Sequence, residues 1–216
     1  MLNVLHAAVR ASLVTLVLCG LLYPLALTGL GQLIFPFQAN GSLMRDPRGA
    51  IVGSRLIGQA WIGPEWFHGR PSATTDRDPK DPTKTVPVPY NAASSAGSNL
   101  GPTSRILAAR LDEERKNLEA AQPELQGKEL PADMLTASGS GLDPDISLAN
   151  ASLQIPRIAR ARGLSPTEID ALLRESVIAR GLGVFGEPRV NVLALNLALQ
   201  RMCRATGRCA IPSRAE

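Results

Sequence analysis

Charge is missing from one long stretch of this chain, and histidine and aromatic residues are scarce throughout. No Asp, Glu, Lys or Arg occurs between Ala11 and Met44. Of 216 residues, two are histidine, three are cysteine and 4% are aromatic. Beyond the uncharged stretch there is one histidine, His68, so a metal centre built from His/Cys clusters at the usual spacings is excluded. Cys19 lies within the stretch; Cys203 and Cys209 stand near the C-terminus with five residues between them. In an oxidising compartment that pair would close a small loop worth at most roughly 2 kcal/mol; otherwise both remain thiols. The net charge of +4 is spread out, with Arg and Glu interleaved, which excludes a nucleic-acid-binding patch.

What fills the uncharged stretch is apolar. Residues 11–35 exceed the roughly 20 needed to cross a hydrocarbon core about 30 Å thick. A helix is the only single segment that bonds all its own amides there. A secretory h-region is shorter, about 7–15 residues, and ends in a small-x-small site. Here the apolar run continues through Ile34-Phe35-Pro36-Phe37 without such a site, so the segment reads as an uncleaved anchor. Residues 1–10 are then a short N-terminal extension. Lys/Arg counts on the two sides nearly tie. Arg10 nevertheless abuts the run directly, whereas Gln38-Ala39-Asn40-Gly41-Ser42 is an uncharged exit, which predicts a cytoplasmic N-terminus and a domain outside.

The anchor has a face. At 3.6 residues per turn Ala8, Ser12, Thr15, Cys19, Tyr23 and Ala26 fall within about one third of the circumference. Small, weakly polar stripes let membrane helices approach closely, which makes these six the predicted docking residues. Pro24 cannot donate to the carbonyl of Gly20, so a kink is expected there.

The remaining chain suits one mixed α/β domain, residues 36–200, followed by an Arg- and Cys-bearing tail, residues 201–216. Turn chemistry in Asp46-Pro47-Arg48-Gly49 predicts a β-hairpin just outside the membrane, with residues 56–59 continuing its second strand. Trp61, Trp66 and Phe67 are expected in the core. Residues 70–90, with five prolines, read as an extended solvated loop. A surface helix comes next, to about Ala121, with Ile106, Leu107, Leu111 and Leu118 as its narrow apolar stripe. Met134-Leu135-Thr136 reads as a short buried strand, and a helix from about Ser147 to Arg162 is closed by Gly163. Ser165-Pro166-Thr167-Glu168 is a capping box opening a helix that presents Ile169, Leu172, Leu173 and Val177 and stops at Gly181. Val190 to Leu193 reads as a strand feeding a last helix.

The Gly-rich segment Ser138-Gly139-Ser140-Gly141-Leu142-Asp143 is the most peculiar part of the domain. It lacks the Lys and spacing of a P-loop, and no basic residue adjoins it. It reads as a tight turn, with Asp143 or Ser147 capping the next helix. A hydrolase would need Ser138 or Ser140 brought to His68 and Asp143, but the serines lack the G-x-S-x-G setting. That leaves a membrane-anchored hydrolase as the alternative function and a nucleotide-binding regulator as a third.

Longer segments carry a resemblance. They include Tyr23-Pro24-Leu25, Phe35-Pro36-Phe37-Gln38-Ala39-Asn40-Gly41-Ser42-Leu43, Gly53-Ser54-Arg55-Leu56-Ile57-Gly58-Gln59 and Gly69-Arg70-Pro71-Ser72-Ala73. Tyr90-Asn91 and Gly97-Ser98-Asn99-Leu100-Gly101-Pro102 come after these; the strongest are Pro131-Ala132-Asp133 with Thr136 to Pro144, and Gly186-Glu187-Pro188-Arg189-Val190-Asn191-Val192-Leu193 with Leu195-Asn196-Leu197-Ala198-Leu199. In this order they resemble the C subunit of the Kdp potassium-transporting P-type ATPase, from about residue 8 to 200. The resemblance implies a single-span inner-membrane protein with a periplasmic domain. Its partners are then an ion-conducting A subunit, an ATP-hydrolysing B subunit, a small F subunit and the lipid bilayer. It also implies no catalytic residue or cofactor of its own, ATP and K+ being handled by the partners, and a catalytic-chaperone role that raises the ATP affinity of the hydrolysing subunit. A domain across the bilayer from ATP can act on that affinity only through a coupling free energy. Two departures stand out: Asp145 occupies a position where the family pattern has His, and the tail after Gln200 is particular to this chain.

Overall fold

The computed structural model describes residues 1–46 and 48–207. Its first feature is a helical rod, Leu2–Ile34, none of whose side chains is buried by the protein itself. The rod consists of α1 (Leu2–Val17), a π turn (Leu18–Leu22) and α2 (Tyr23–Ile34). It starts nine residues before the predicted boundary at Ala11, because Leu, Val and Ala at positions 2–9 sustain helix beyond the uncharged run. At 1.5 Å per residue, 33 residues extend about 50 Å, more than the bilayer core requires. Proline at position 24 is accommodated by the π turn in front of it, where the Tyr23 amide donates to the Leu18 carbonyl five residues back. The expected disturbance around Gly20 and Pro24 therefore takes the form of a widened turn.

A short helix, α3 (Pro36–Ala39), turns the chain off the rod into β1 (Leu43–Arg45) and β2 (Ile51–Ser54), an antiparallel pair. Asp46 organises their connection, its Oδ1 accepting from the amides of Arg48 and Ala50 at 2.8 and 3.0 Å. The second strand ends at Ser54, and residues 56–59 turn away rather than prolong it. Ser54 Oγ accepts from the Leu56 amide, and Gln59 Nε2 reaches back to the Val52 carbonyl at 2.7 Å.

Residues 70–90 are not a featureless loop. β3 (Thr75–Arg77) and β4 (Thr85–Pro87) pair antiparallel, and Thr74 at their base is buried. Two aspartates replace glycine as turn-makers: Asp78 Oδ1 accepts from the Lys80 amide and Asp81 Oδ1 from the Thr83 amide. The helix α4 (Arg105–Ala121) comes next, capped by Ser104, with no buried side chain. The predicted strand at residues 134–136 is instead one turn of helix, α5 (Ala132–Leu135), started by Pro131, with Met134 buried.

The core is made by the last third of the chain. β5 (Asp145–Ser147), β7 (Arg189–Asn191) and β6 (Val177–Ile178) form a three-stranded antiparallel sheet in the order β5-β7-β6. Against it pack α6 (Leu148–Arg162) and α8 (Val192–Thr206), and α7 (Pro166–Glu175) packs on both helices. Ile155, Ile158, Ile169, Leu173, Val190, Leu195 and Leu199 meet there, and Phe67 inserts among them with no exposed surface. Burying such a side chain is worth about 1.5–3 kcal/mol. α7 stops at Glu175, before Gly181, because Val177 and Ile178 pair with Val190 and Arg189. α8 runs past Gln200 to Thr206, so the tail predicted from residue 201 begins as helix. Of the proposed disulfide pair, Cys203 is buried in the core, while Cys209 lies outside the described residues.

Candidate functional site

Two places gather the residues singled out by sequence, and the first is the rod. Ser12, Thr15 and Cys19 line a shallow groove with Ala11, Leu16 and Gly20. Thr15 Oγ1 donates to the Ala11 carbonyl at 2.8 Å. The groove ends at Gly20. The π turn admits one residue more per turn than an α-helix, so α2 is rotated by roughly a quarter turn relative to α1. Tyr23 and Ala26 are therefore turned off the line carried by Ala8, Ser12, Thr15 and Cys19, and the rod presents two offset faces.

The second place is the loop of residues 137–143, a hub on which distant segments converge. Its serines lock it from inside: Ser138 Oγ accepts from the Gly141 amide at 2.8 Å and Ser140 Oγ from the Leu142 amide at 3.1 Å. Its carbonyls face outward to other segments. Ser140 O accepts from Ala96 N and Ser95 Oγ, Gly141 O from Ser72 Oγ, and Leu142 O from Gly58 N. Gly141 has φ 68°, and a Cβ there would stand 2.5 Å from Thr74 Cγ2 and 2.6 Å from the Ala96 carbonyl. Glycine is thus required twice over, by conformation and by contact. Gly139 and Ser140 form the exposed outer edge.

Sequence reasoning found no basic residue for this loop; the fold supplies one. Arg70 Nη1 lies 3.1 Å from Asp143 Oδ2, and its Nη2 reaches Thr136 Oγ1 and the carbonyls of Thr136 and Ala137. Through Nη1 and Nη2 the guanidinium ties the two ends of the loop together, while its buried Nε has no partner among the described residues. Asp143 Oδ1 accepts from the Asp145 amide. The helix cap itself falls to Ser147, whose Oγ accepts from the Asn150 amide.

The triad needed for a hydrolase is not assembled. The His68 ring bonds the Gly63 carbonyl through Nε2 at 2.7 Å, and Asp143 is engaged by Arg70. The serine hydroxyls hold loop amides. Burial, reinforced by the charge of Arg157, holds the imidazole below its ordinary pKa of 6.5.

Beneath the hub, polar side chains from α6 and α8 grip the irregular segment of residues 55–70. Asn196 grips Phe67, accepting from its amide and donating to its carbonyl, both at 2.9 Å. Gln154 does the same for His68, at 2.8 and 3.1 Å. Arg157 donates to the carbonyls of Gly63, Pro64 and Trp66, and its pKa is lowered to about 10 by burial. Arg162 lies over the Trp66 ring at 4.3 Å and donates to the Glu65 carbonyl. None of these four was picked out from sequence. The available signal was polar side chains recurring at three- to five-residue spacing on the buried face of a helix. Asp145, at the family's His position, accepts from Arg189 Nε at 2.7 Å and Asn191 Nδ2 at 3.0 Å. Asn191 also donates to the Arg55 carbonyl, and Arg55 N donates to the Ser42 carbonyl, so the sheet is tied to the chain's exit from the rod.

A family model described as KdpC, "K+-transporting ATPase, c chain", matches residues 5–201. A "Potassium-transporting ATPase KdpC subunit" of Rhodopseudomonas palustris (strain BisB5) is 52% identical over 94% of this chain and 100% of that protein. One from Methylobacterium nodulans is 56% identical over 86% of this chain and 90% of its own length. With the match running from the rod through the hub to α8, the chain belongs to the KdpC family, the c chains of K+-transporting ATPases.

Proposed function

We propose that this chain is a non-catalytic subunit of a high-affinity, ATP-driven potassium uptake complex of the bacterial inner membrane. The rod crosses the bilayer with its N-terminus in the cytoplasm, and the domain stands in the periplasm. The groove of Ser12, Thr15 and Cys19 docks on a helix of a membrane-embedded partner. The partners are the ion-conducting A, ATP-hydrolysing B and small F subunits, which handle K+ and ATP. The supporting observation is that the rod leaves every side chain uncovered while the domain is hydrogen-bonded to its exit. Such a rod holds a globule at a fixed place on something else in the membrane.

A contribution to ATP affinity, the chaperone role, arises only if the domain or rod contacts one conformation of the partners better than another. A tenfold change in affinity requires a difference of about 1.4 kcal/mol between those contacts. The hub is the domain's framework in this reading, its serine hydroxyls bonded to the Gly141 and Leu142 amides.

The test is purification of the tagged chain in mild detergent, with Lys80→Cys in the exposed β3–β4 turn labelled by an impermeant maleimide in spheroplasts. Retention of an ATP-hydrolysing subunit and labelling from outside are expected. A chain that purifies alone, or is labelled only after lysis, contradicts the proposal.

A further inference from the structure

The connection between β6 and β7 ends in a tip that none of the described residues covers. Leu182, Val184 and Phe185 are 92%, 72% and 69% exposed. The tip is held by a tight turn: Gly181 and Phe185 exchange amide-to-carbonyl bonds at 2.8 Å, and the Gly183 amide donates to the Arg180 carbonyl at 3.1 Å. Leu182 takes a φ of 50°, a left-handed conformation unfavourable for a leucine. The turn therefore displays a large apolar side chain against its backbone preference.

The base of this tip lies at the end of the rod. Ile178 and Arg189, paired across β6 and β7, line one groove with Phe37 and Gln38, where the apolar run gives out. Leu182 is four residues beyond Ile178, a reach of at most about 14 Å. The headgroup layer on each side of a bilayer is roughly 5–8 Å deep. Leu56, 62% exposed, and Arg55 share that groove, and Arg180, exposed, directly precedes the tip in the chain. An apolar tip bordered by arginines is the composition of an interfacial lipid contact. A face made for protein would continue the apolar surface into its neighbours, whereas Arg180, Glu187 and Arg189 border this one immediately.

We infer that the tip of Leu182, Val184 and Phe185 inserts into the headgroup–acyl boundary of the bilayer beside the rod. The domain then has a second attachment to the membrane, made to lipid. This rests on the reading of Leu2–Ile34 as a membrane span.

The experiment uses the full chain in phosphatidylethanolamine–phosphatidylglycerol vesicles, with Phe185→Trp placed over the background of native Trp61 and Trp66. The emission added by Phe185→Trp should fall at least twofold when the acyl chains are brominated near the headgroup. Adding Leu182→Glu and Val184→Glu should abolish that quenching. Added emission that brominated lipid leaves unchanged overturns the inference, whatever else covers the tip. Co-flotation with the vesicles reads the span separately: a floating chain with an unquenched tip overturns only the insertion, and a chain that does not float overturns both.

Discussion

Arg70 and Asp143, 73 residues apart in sequence, meet at 3.1 Å and close the hub loop from outside. Their side chains are 25% and 29% exposed, so the pair sits in a screened but not aqueous setting. Removing either partner strands the other and frees the loop ends. Arg70→Ala and Asp143→Ala should each destabilise the domain by about 1–3 kcal/mol, and the double variant by little more than one single change. Urea midpoints of the four chains in detergent check this. Additive losses would show that the two side chains act separately.

Gly141 and Gly163 test the same idea at the backbone. Both have left-handed φ, 68° and 67°, but a Cβ at Gly163 meets nothing within 4 Å whereas one at Gly141 collides with Thr74 and the Ala96 carbonyl. Gly163→Ala should cost about 1 kcal/mol, from conformation alone. Gly141→Ala should cost roughly 2–4 kcal/mol, since Thr74 and the Ala96 segment of the hub must also move. Equal losses would remove the hub from the account.

What could be read from sequence was local. The capping box shows both of its bonds, Ser165 Oγ to the Glu168 amide and Glu168 Oε2 to the Ser165 amide, because residues three apart suffice to make it. The hairpin at Asp46 and the αL stop at Gly163 were legible for the same reason. The β3–β4 hairpin was hidden because prolines and charges conceal a pairing whose turn is made by aspartate side chains. β6 was absorbed into a helix because two residues carry no period, and only Val190 and Arg189 across the sheet make them a strand. Arg70 was invisible as a loop partner because its spacing from Asp143 obeys no local rule.

His68 makes stability pH-dependent in a definite direction. Burial and Arg157 lower its pKa in the folded state below the ordinary 6.5, so the unfolded chain binds the proton more readily. Stability is complete above about pH 6.5 and declines as pH falls through that value toward the lowered one. Unfolding free energies measured from pH 7.5 to 5.5 should fall less steeply for His68→Gln than for the parent. A steeper fall in the variant would contradict the assignment.

Tyr90 predicts the opposite limb. Burial, and then the charge of Asp143, push its hydroxyl up to about 12, while it donates to the Arg70 carbonyl at 2.7 Å. The folded state keeps the proton that the unfolded chain loses near pH 10, so between about 10 and 12 stability declines as pH rises, by roughly 2–3 kcal/mol in all. In a Tyr23→Phe chain, phenolate absorbance should rise near pH 12 while folded and near pH 10 in denaturant. Coincident curves would mean that Tyr90 is not held as described.

Docking through the rod's first face is the claim on which the functional account rests, and the bulk of Ser12 and Cys19 decides it. Quantify the ATP-hydrolysing subunit retained per tagged chain after mild detergent extraction, comparing Ser12→Leu/Cys19→Leu with Leu13→Phe/Leu21→Phe on other faces. The account predicts at least a tenfold loss for the first pair and near-parental retention for the second. Full retention with Leu at both positions 12 and 19 would contradict it.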